Sequence, residues 1–188
     1  YTLEDHGDVK KIGNSTPRYP FGIDLNAAWK GFDVRCFFQG VMKREYWAST
    51  RYFFGTFEYG RWYQICLDGL QDYSRDENSW SVVNGFQETN KDAYLPRAAY
   101  SAKNEQIQTK YLQDASYIRL KNLQIGYTLP QDLTRKISIE KLRVYFSGEN
   151  LWTGTSLRKQ YDPETIGTWY GNGYPLNTTF SFGLSLTL

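Results

Sequence analysis

Over much of the chain, large apolar residues recur at every second position, the period of a strand with one apolar and one polar face. In FGIDLNAAW, Phe21, Ile23, Leu25, Ala27 and Trp29 share one face, and Gly22, Asp24, Asn26 and Ala28 share the other. Lys30-Gly31 reads as a two-residue turn, with glycine where a positive φ is needed. FDVRCFFQG then sets Phe32, Val34, Cys36 and Phe38 against Asp33, Arg35, Phe37 and Gln39. The two runs predict a hairpin with strands at about 20–29 and 32–40. Strand character returns at about 116–128, 141–150 and 176–188. In the first of these, Leu123, Ile125 and Tyr127 alternate with Gln124, Gly126 and Thr128, whereas Ile118 and Leu120 fall in the opposite phase. A bulge near Lys121-Asn122 reconciles them. The next sets Leu142, Val144, Phe146 and Gly148 against Arg143, Tyr145, Ser147 and Glu149. The last sets Phe180, Phe182, Leu184, Leu186 and Leu188 against Thr179, Ser181, Gly183, Ser185 and Thr187.

The connections differ sharply in length. Residues 41–115 lack sustained alternation, although GRWYQICLDGL predicts a short helix with Trp62, Ile65, Cys66 and Leu70 on one side. The connector at 129–140 reads as short, with one helical turn begun by Pro130, and a loop with Gly and Pro spans about 151–174. Strands of roughly nine to eleven residues match tilted strands crossing a bilayer. Alternating short and long connections match a membrane barrel with tight periplasmic turns and large extracellular loops. With 151–174 outside, 129–140 falls on the periplasmic side, 41–115 outside and Lys30-Gly31 inside again. Soluble sandwiches use alternating strands more often, but here no helix covers the strands. A barrel wide enough for side chains needs about eight strands, so further strands come from elsewhere. The opening YTLEDHGDVKKIGN has neither an initiating Met nor a targeting segment, which favours a fragment. The expected fold is all-β, a transmembrane antiparallel barrel segment with one long extracellular loop at about 41–115.

Composition sharpens this picture. Aromatics make up 18% of the 188 residues, with 16 Tyr, 11 Phe and 6 Trp, yet the mean hydropathy is −0.61. Such rings suit a surface where apolar and wet phases meet. A net charge of +2 points away from nucleic acid. Cys36 and Cys66 form no CxxC, His6 is the single histidine, and no run of 18 apolar residues exists. With His6 near an end and no nucleophile paired with it, the sequence offers no Ser/His/Asp or Cys/His constellation. Asp76-Glu77 and Glu140 near Glu149 read as solvated charge, and EDHGD lacks EF-hand spacing. No catalytic, cofactor or metal role is expected. Trp47, Trp62, Tyr63 and Trp80 of the long loop are candidates for substrate or partner contact. Their plainer reading is a local aromatic core or packing on a partner. Asp24, Asn26, Arg35, Arg119, Arg143 and Glu149 are expected to face a watery lumen, since the bilayer face excludes them.

ASYIRLKNLQIGYTLP, followed by LRVYFSGENLW and YDPE, resembles the C-terminal part of the SusC/RagA family of TonB-dependent outer-membrane transporters. KIGNSTPRYPFGIDLNAAWKGFDVRCFFQG is similar to that family's preceding block, YLPRAAY resembles a loop segment, and YPLNTTFSFGLSLTL its terminal strand. The ordered blocks cover essentially the whole chain. The resemblance implies a barrel of about 22 strands around a plug, of which this chain supplies the last five, without the plug. It also implies a SusD-like surface lipoprotein as partner, energy delivered through TonB, and import of oligosaccharides or peptides across a Gram-negative outer membrane. One departure stands out: such barrels end on an aromatic residue, and here the last residue is Leu188. The competing readings are a soluble β-rich carbohydrate-binding module and a surface adhesin.

Overall fold

The computed structural model describes residues 7, 9–47, 72–97, 106–159, 161–167 and 173–188. They fall into two compact units, and the larger comprises 13–46, 113–166 and 174–188. Its frame is an antiparallel sheet of five strands: β1 (Arg18–Trp29), β2 (Phe32–Lys43), β5 (Tyr117–Thr128), β6 (Lys141–Thr155) and β7 (Thr179–Thr187). They lie side by side in that order. Two short strands, β3 (Glu45–Trp47) and β4 (Leu112–Asp114), form a separate ribbon inside the stretch read as loop. Strand β6 runs five residues past the expected end at 150, and β1 and β2 are also longer than the alternation suggested.

Local chemistry explains the connections. Lys30 (φ 47°) and Gly31 (φ 88°) both take positive φ, the requirement of a type I′ hairpin turn whose twist matches that of the strands. A Cβ on Gly31 would lie 2.9 Å from the Thr128 carbonyl oxygen. After Pro130 comes a helical turn (Gln131–Thr134), and Ser138 at φ 57° closes the following 3-10 turn. This connector and the Lys30-Gly31 turn occupy the same end of the sheet.

Cross-strand register sorts the side chains onto two faces. Trp29, Phe32, Tyr127, Val144 and Leu184 form one row, and Ala27, Val34, Ile125, Phe146 and Phe182 the next. The row after that joins Leu25, Cys36, Leu123, Gly148 and Phe180. The predicted phase change lies where expected: Phe37 and Phe38 are adjacent on β2, but they face Asn122 and Leu120 on β5. The irregularity continues into β6, where Asn122 and Leu120 face Glu149 and Trp152, and Asn150 takes φ 51°. These bulges keep Ile118 and Leu120 on the apolar face despite their odd spacing from Leu123.

The apolar face is open: Phe182 is 84% exposed, and Leu25, Phe32, Phe180 and Leu184 are each more than half exposed. Thr134 is buried on the connector, and the other buried side chains of this unit include Val41, Ala115, Tyr117, Leu157, Tyr161 and Ile166, together with Arg119. The latter group is gathered at the far end of the sheet, where β2, β5 and β6 meet the segment after β6.

The smaller unit comprises 1–12, 47–112 and 167–173. Isolated bridges link Tyr73 to Leu95 and Arg75 to Asn90. Leu95 and Tyr111 are buried, and the ring of Tyr94 meets that of Tyr111 edge-on at 5.4 Å. The Ser79 hydroxyl donates to Asp76 Oδ1 at 2.7 Å, just before a helical turn at Trp80–Val83. That hydrogen bond, ahead of a smaller desolvation cost, holds the Asp76 carboxyl below the usual carboxylate range.

Candidate functional site on the polar face of the sheet

The face opposite the apolar one carries the ion pairs of the five-stranded sheet. One row sets Asn26, Arg35, Gln124, Ser147 and Ser181 in line, and the next Ala28, Asp33, Gly126, Tyr145 and Gly183. Arg35 donates from Nη2 to Asp24 Oδ2 at 2.6 Å and from Nε to Oδ1 at 3.2 Å, while Asn26 Nδ2 donates to Asp24 Oδ1 at 3.1 Å. Both groups of this pair are well exposed, so its energetic value is small.

A second pair crosses three strands. Arg143 on β6 donates from Nε to Asp33 Oδ1 at 2.9 Å and from Nη2 to Asp33 Oδ2 on β2, with Gln124 Oε1 3.3 Å from the same Nη2. Strand β5 lies between the two partners, and it carries Gly126 at the crossing point. A Cβ there would sit 2.6 Å from both Arg143 Nε and Asp33 Oδ1. The glycine leaves the space the forked pair occupies.

The most enclosed cluster is built on Arg119, whose side chain is 5% exposed. Its Nε donates to Thr153 Oγ1 at 2.7 Å and its Nη2 to Asp162 Oδ1 at 2.9 Å. Its Nη1 lies 2.9 Å from Glu164 Oε1 but off the hydrogen-bond axis. Lys121 Nζ donates to Glu164 Oε2 at 3.1 Å. Arg44 completes the clamp, donating to the carbonyl oxygens of Pro163 and Ile166 at 3.3 and 3.1 Å. The YDPE stretch, Tyr161 to Glu164, is thus held against the sheet by three cations. The Tyr161 ring meets Tyr46 edge-on at 5.8 Å.

Asp162 organises this turn as well as pairing. It accepts the Glu164 amide at 2.9 Å and the Leu176 amide at 3.1 Å. Burial works against its ionised form, but these amides and the Arg119 guanidinium outweigh that cost and hold its carboxyl below the usual carboxylate range. A folded-state value below the unfolded one means stabilisation that is complete above the unfolded value and lost as pH falls through the folded one. We therefore expect protection of the 161–167 amides to be constant above about pH 5 and to decline below about pH 4. Hydrogen exchange of the full-length protein at stepped pH reads this, and protection that rises on acidification contradicts it.

Of the residues singled out in the sequence, Asp24, Asn26, Arg35, Arg119 and Arg143 share this face and join its hydrogen bonds. Glu149 is on the same face, in register with Asn122 and Thr179, but it forms no ion pair among the described residues. Periodicity missed the partners. Asp33 had been placed on the polar face without a role. Asp162, Glu164, Lys121 and Arg44 lie in a loop, a bulge and a strand end, where alternation carries no signal. In the smaller unit, Trp47 meets the Tyr111 ring at 6.3 Å, and Trp80 stacks on Phe86 at 5.4 Å with both rings about two-thirds exposed. Each has its own aromatic partner. Trp62, Tyr63 and the short helix expected around them lie outside the described residues. Among the described residues no group of acids, Cys or His is placed to hold a metal ion.

No protein-family profile matches the chain. By sequence it is 32% identical over 192 aligned residues to TonB-dependent receptor P3 of Formosa agariphila, and 24% identical over 194 to TonB-dependent receptor P26 of the same organism. These alignments cover 95% and 96% of the chain but only 17% and 18% of the relatives. By structure it is similar to the RagAB peptide transporter, with a TM-score of 0.68 and 26% identity over 95% of this chain and 18% of that one. The RagAB peptide importer in its open-open state aligns over 100% of the chain and 19% of its own, at a TM-score of 0.64 and 27% identity. The chain spans under a fifth of the proteins it matches. With an all-β antiparallel sheet, one apolar and one polar face, and alignments that run over nearly all of its own residues, the chain matches a C-terminal portion of the barrel of TonB-dependent receptors of the SusC/RagA type.

Proposed function

We propose that these residues are wall and loop of an active importer in the outer membrane of a Gram-negative bacterium. The carrying observation is the segregation of the sheet: ion pairs line one face, while Phe, Leu, Ile and Val stand exposed on the other. Lipid accepts such an apolar face and a watery lumen accepts the polar one. In water, an open face with Phe182 at 84% exposure invites association, which weighs against the soluble module and the adhesin.

In this reading the strand end at Lys43, Tyr117 and Thr155 is extracellular, and the Lys30-Gly31 turn is periplasmic. The aromatic loop, with Trp47 and Trp80, faces a SusD-like lipoprotein or the substrate. Asp24, Asn26, Arg35, Arg119, Arg143 and Glu149 line the lumen, and the rest of the same barrel closes it. TonB supplies the energy through the whole protein. Oligosaccharide or peptide is the cargo, and peptide is the first to test because the structural neighbours are described as peptide importers. The mechanism assigned to this portion is passive: it holds the wall and the loop while other parts move.

Affinity purification of the full-length protein from native membranes tests the proposal. We expect detergent-dependent recovery from the outer-membrane fraction together with a SusD-like lipoprotein. Recovery from the soluble fraction with no lipoprotein would refute it.

A further inference from the structure

We infer that the apolar face carries a seat for one acyl chain of an anionic phospholipid, at the rim beside the Lys30-Gly31 turn. This rests on the wall reading above and names the lipid chemistry that one part of the wall takes. Between two aromatic pairs runs a groove of about 210 Å³. One wall is Phe32 with Tyr127, ring centroids 4.5 Å apart, and the other is Phe146 with Phe182, 5.2 Å apart. Ile125 and Val144 form the floor. Register places Phe32, Tyr127 and Val144 in the row next to the turn, so the groove reaches the rim.

The lining is chemically one-sided. A methylene chain needs continuous apolar contact and offers no hydrogen bond, which this groove matches. A sugar or peptide lying there would leave polar groups unpaired. The rim supplies the second half of the recognition. Lys30 leaves the turn with its ammonium 4.8 Å from the Trp29 ring centroid. Arg135 and Lys136 lie exposed on the connector of the same rim, whereas Lys141 is on the polar face with Arg143. Arg135 also donates to Gln131 Oε1 at 3.3 Å. Asp132 and Glu140 are the opposing acids there, while Asp33 is engaged by Arg143. Three cations thus face two acids at the rim beside an apolar groove. A zwitterionic headgroup answers the groove alone; an anionic one answers both.

The test uses the full-length transporter reconstituted in mixed bilayers with trace spin-labelled phosphatidylglycerol or phosphatidylcholine. The motionally restricted fraction of each gives their relative association. We expect the wild type to favour phosphatidylglycerol by about fivefold or more, since each cation near a surface contributes roughly that factor. The triple variant Lys30→Gln/Arg135→Gln/Lys136→Gln should bring the ratio below about twofold. Ile125→Trp, which fills the floor, should lower restriction of both lipids, with folding checked separately by heat-modifiable gel migration. Equal restriction of the two lipids by the wild type, a ratio unchanged in the triple variant, or unchanged restriction in folded Ile125→Trp overturns the inference. Such results leave the wall reading intact, whereas a protein that never enters the membrane fraction ends both.

Discussion

Replacing Arg119 with alanine is expected to release the turn at 161–167 and to cost about 3 kcal/mol or more, the usual penalty for removing one partner of a buried ion pair. The size follows from what remains. Asp162 and Glu164, 8% and 17% exposed, would lose the guanidinium that faces both, and Thr153 would lose its donor. Lys121 reaches only Glu164, and Arg44 holds only backbone carbonyls, so neither replaces the charge beside Asp162. Hydrogen exchange of the full-length protein should then show the Thr165 and Ile166 amides, which donate to the Asp162 carbonyl, exchanging about a hundredfold faster. Arg119→Lys should recover part of the protection, because a point charge lacks the fork that spans Thr153 and Asp162. If Arg119→Ala leaves those amides within about twofold of wild type, the clamp is not what holds the turn.

Gly40→Ala is the second large effect, and its cause is steric. Gly40 faces Phe21 on β1 and Ile118 on β5, and it is buried in a sheet whose apolar face is otherwise open. A Cβ would clash with the Tyr117 carbonyl oxygen, which is backbone and cannot swing away, and would lie 2.5 Å from the Phe21 ring. Overpacking of this kind costs about 1–3 kcal/mol, and the backbone contact puts Gly40→Ala at the upper end. Gly22→Ala is the control: its Cβ would come no closer than 3.3 Å, to the edge of the Phe37 ring. Urea titration of the refolded full-length barrel should separate the two variants clearly. Equal midpoints would show that β1, β2 and β5 shift apart easily at Gly40.

Much of the sheet was legible in the residues because a strand's period of two is local. Phe21 to Trp29 and Phe32 to Phe38 announce their faces without knowing their neighbours. Lys30-Gly31 announces its turn through glycine's access to positive φ. Even the bulge at Lys121-Asn122 could be inferred, since Ile118 and Leu123 share a face only if a residue is inserted between them. Five of the six proposed polar-face residues join hydrogen bonds there for the same reason: parity alone chooses their side.

Tertiary structure decided the pairings. Asp33 and Arg143 meet across 110 positions of sequence, and they do so because β5 inserts between β2 and β6 with Gly126 at the crossing. No local pattern contains that adjacency. Arg119 meets Asp162 only because the segment after β6 folds back to the sheet, which is why YDPE could be matched to a family but given no task. Alternation determined which face each side chain takes, because it depends on one residue's neighbours in the chain. The fold determined which charges touch, because contact depends on strand order, register and the return of a loop.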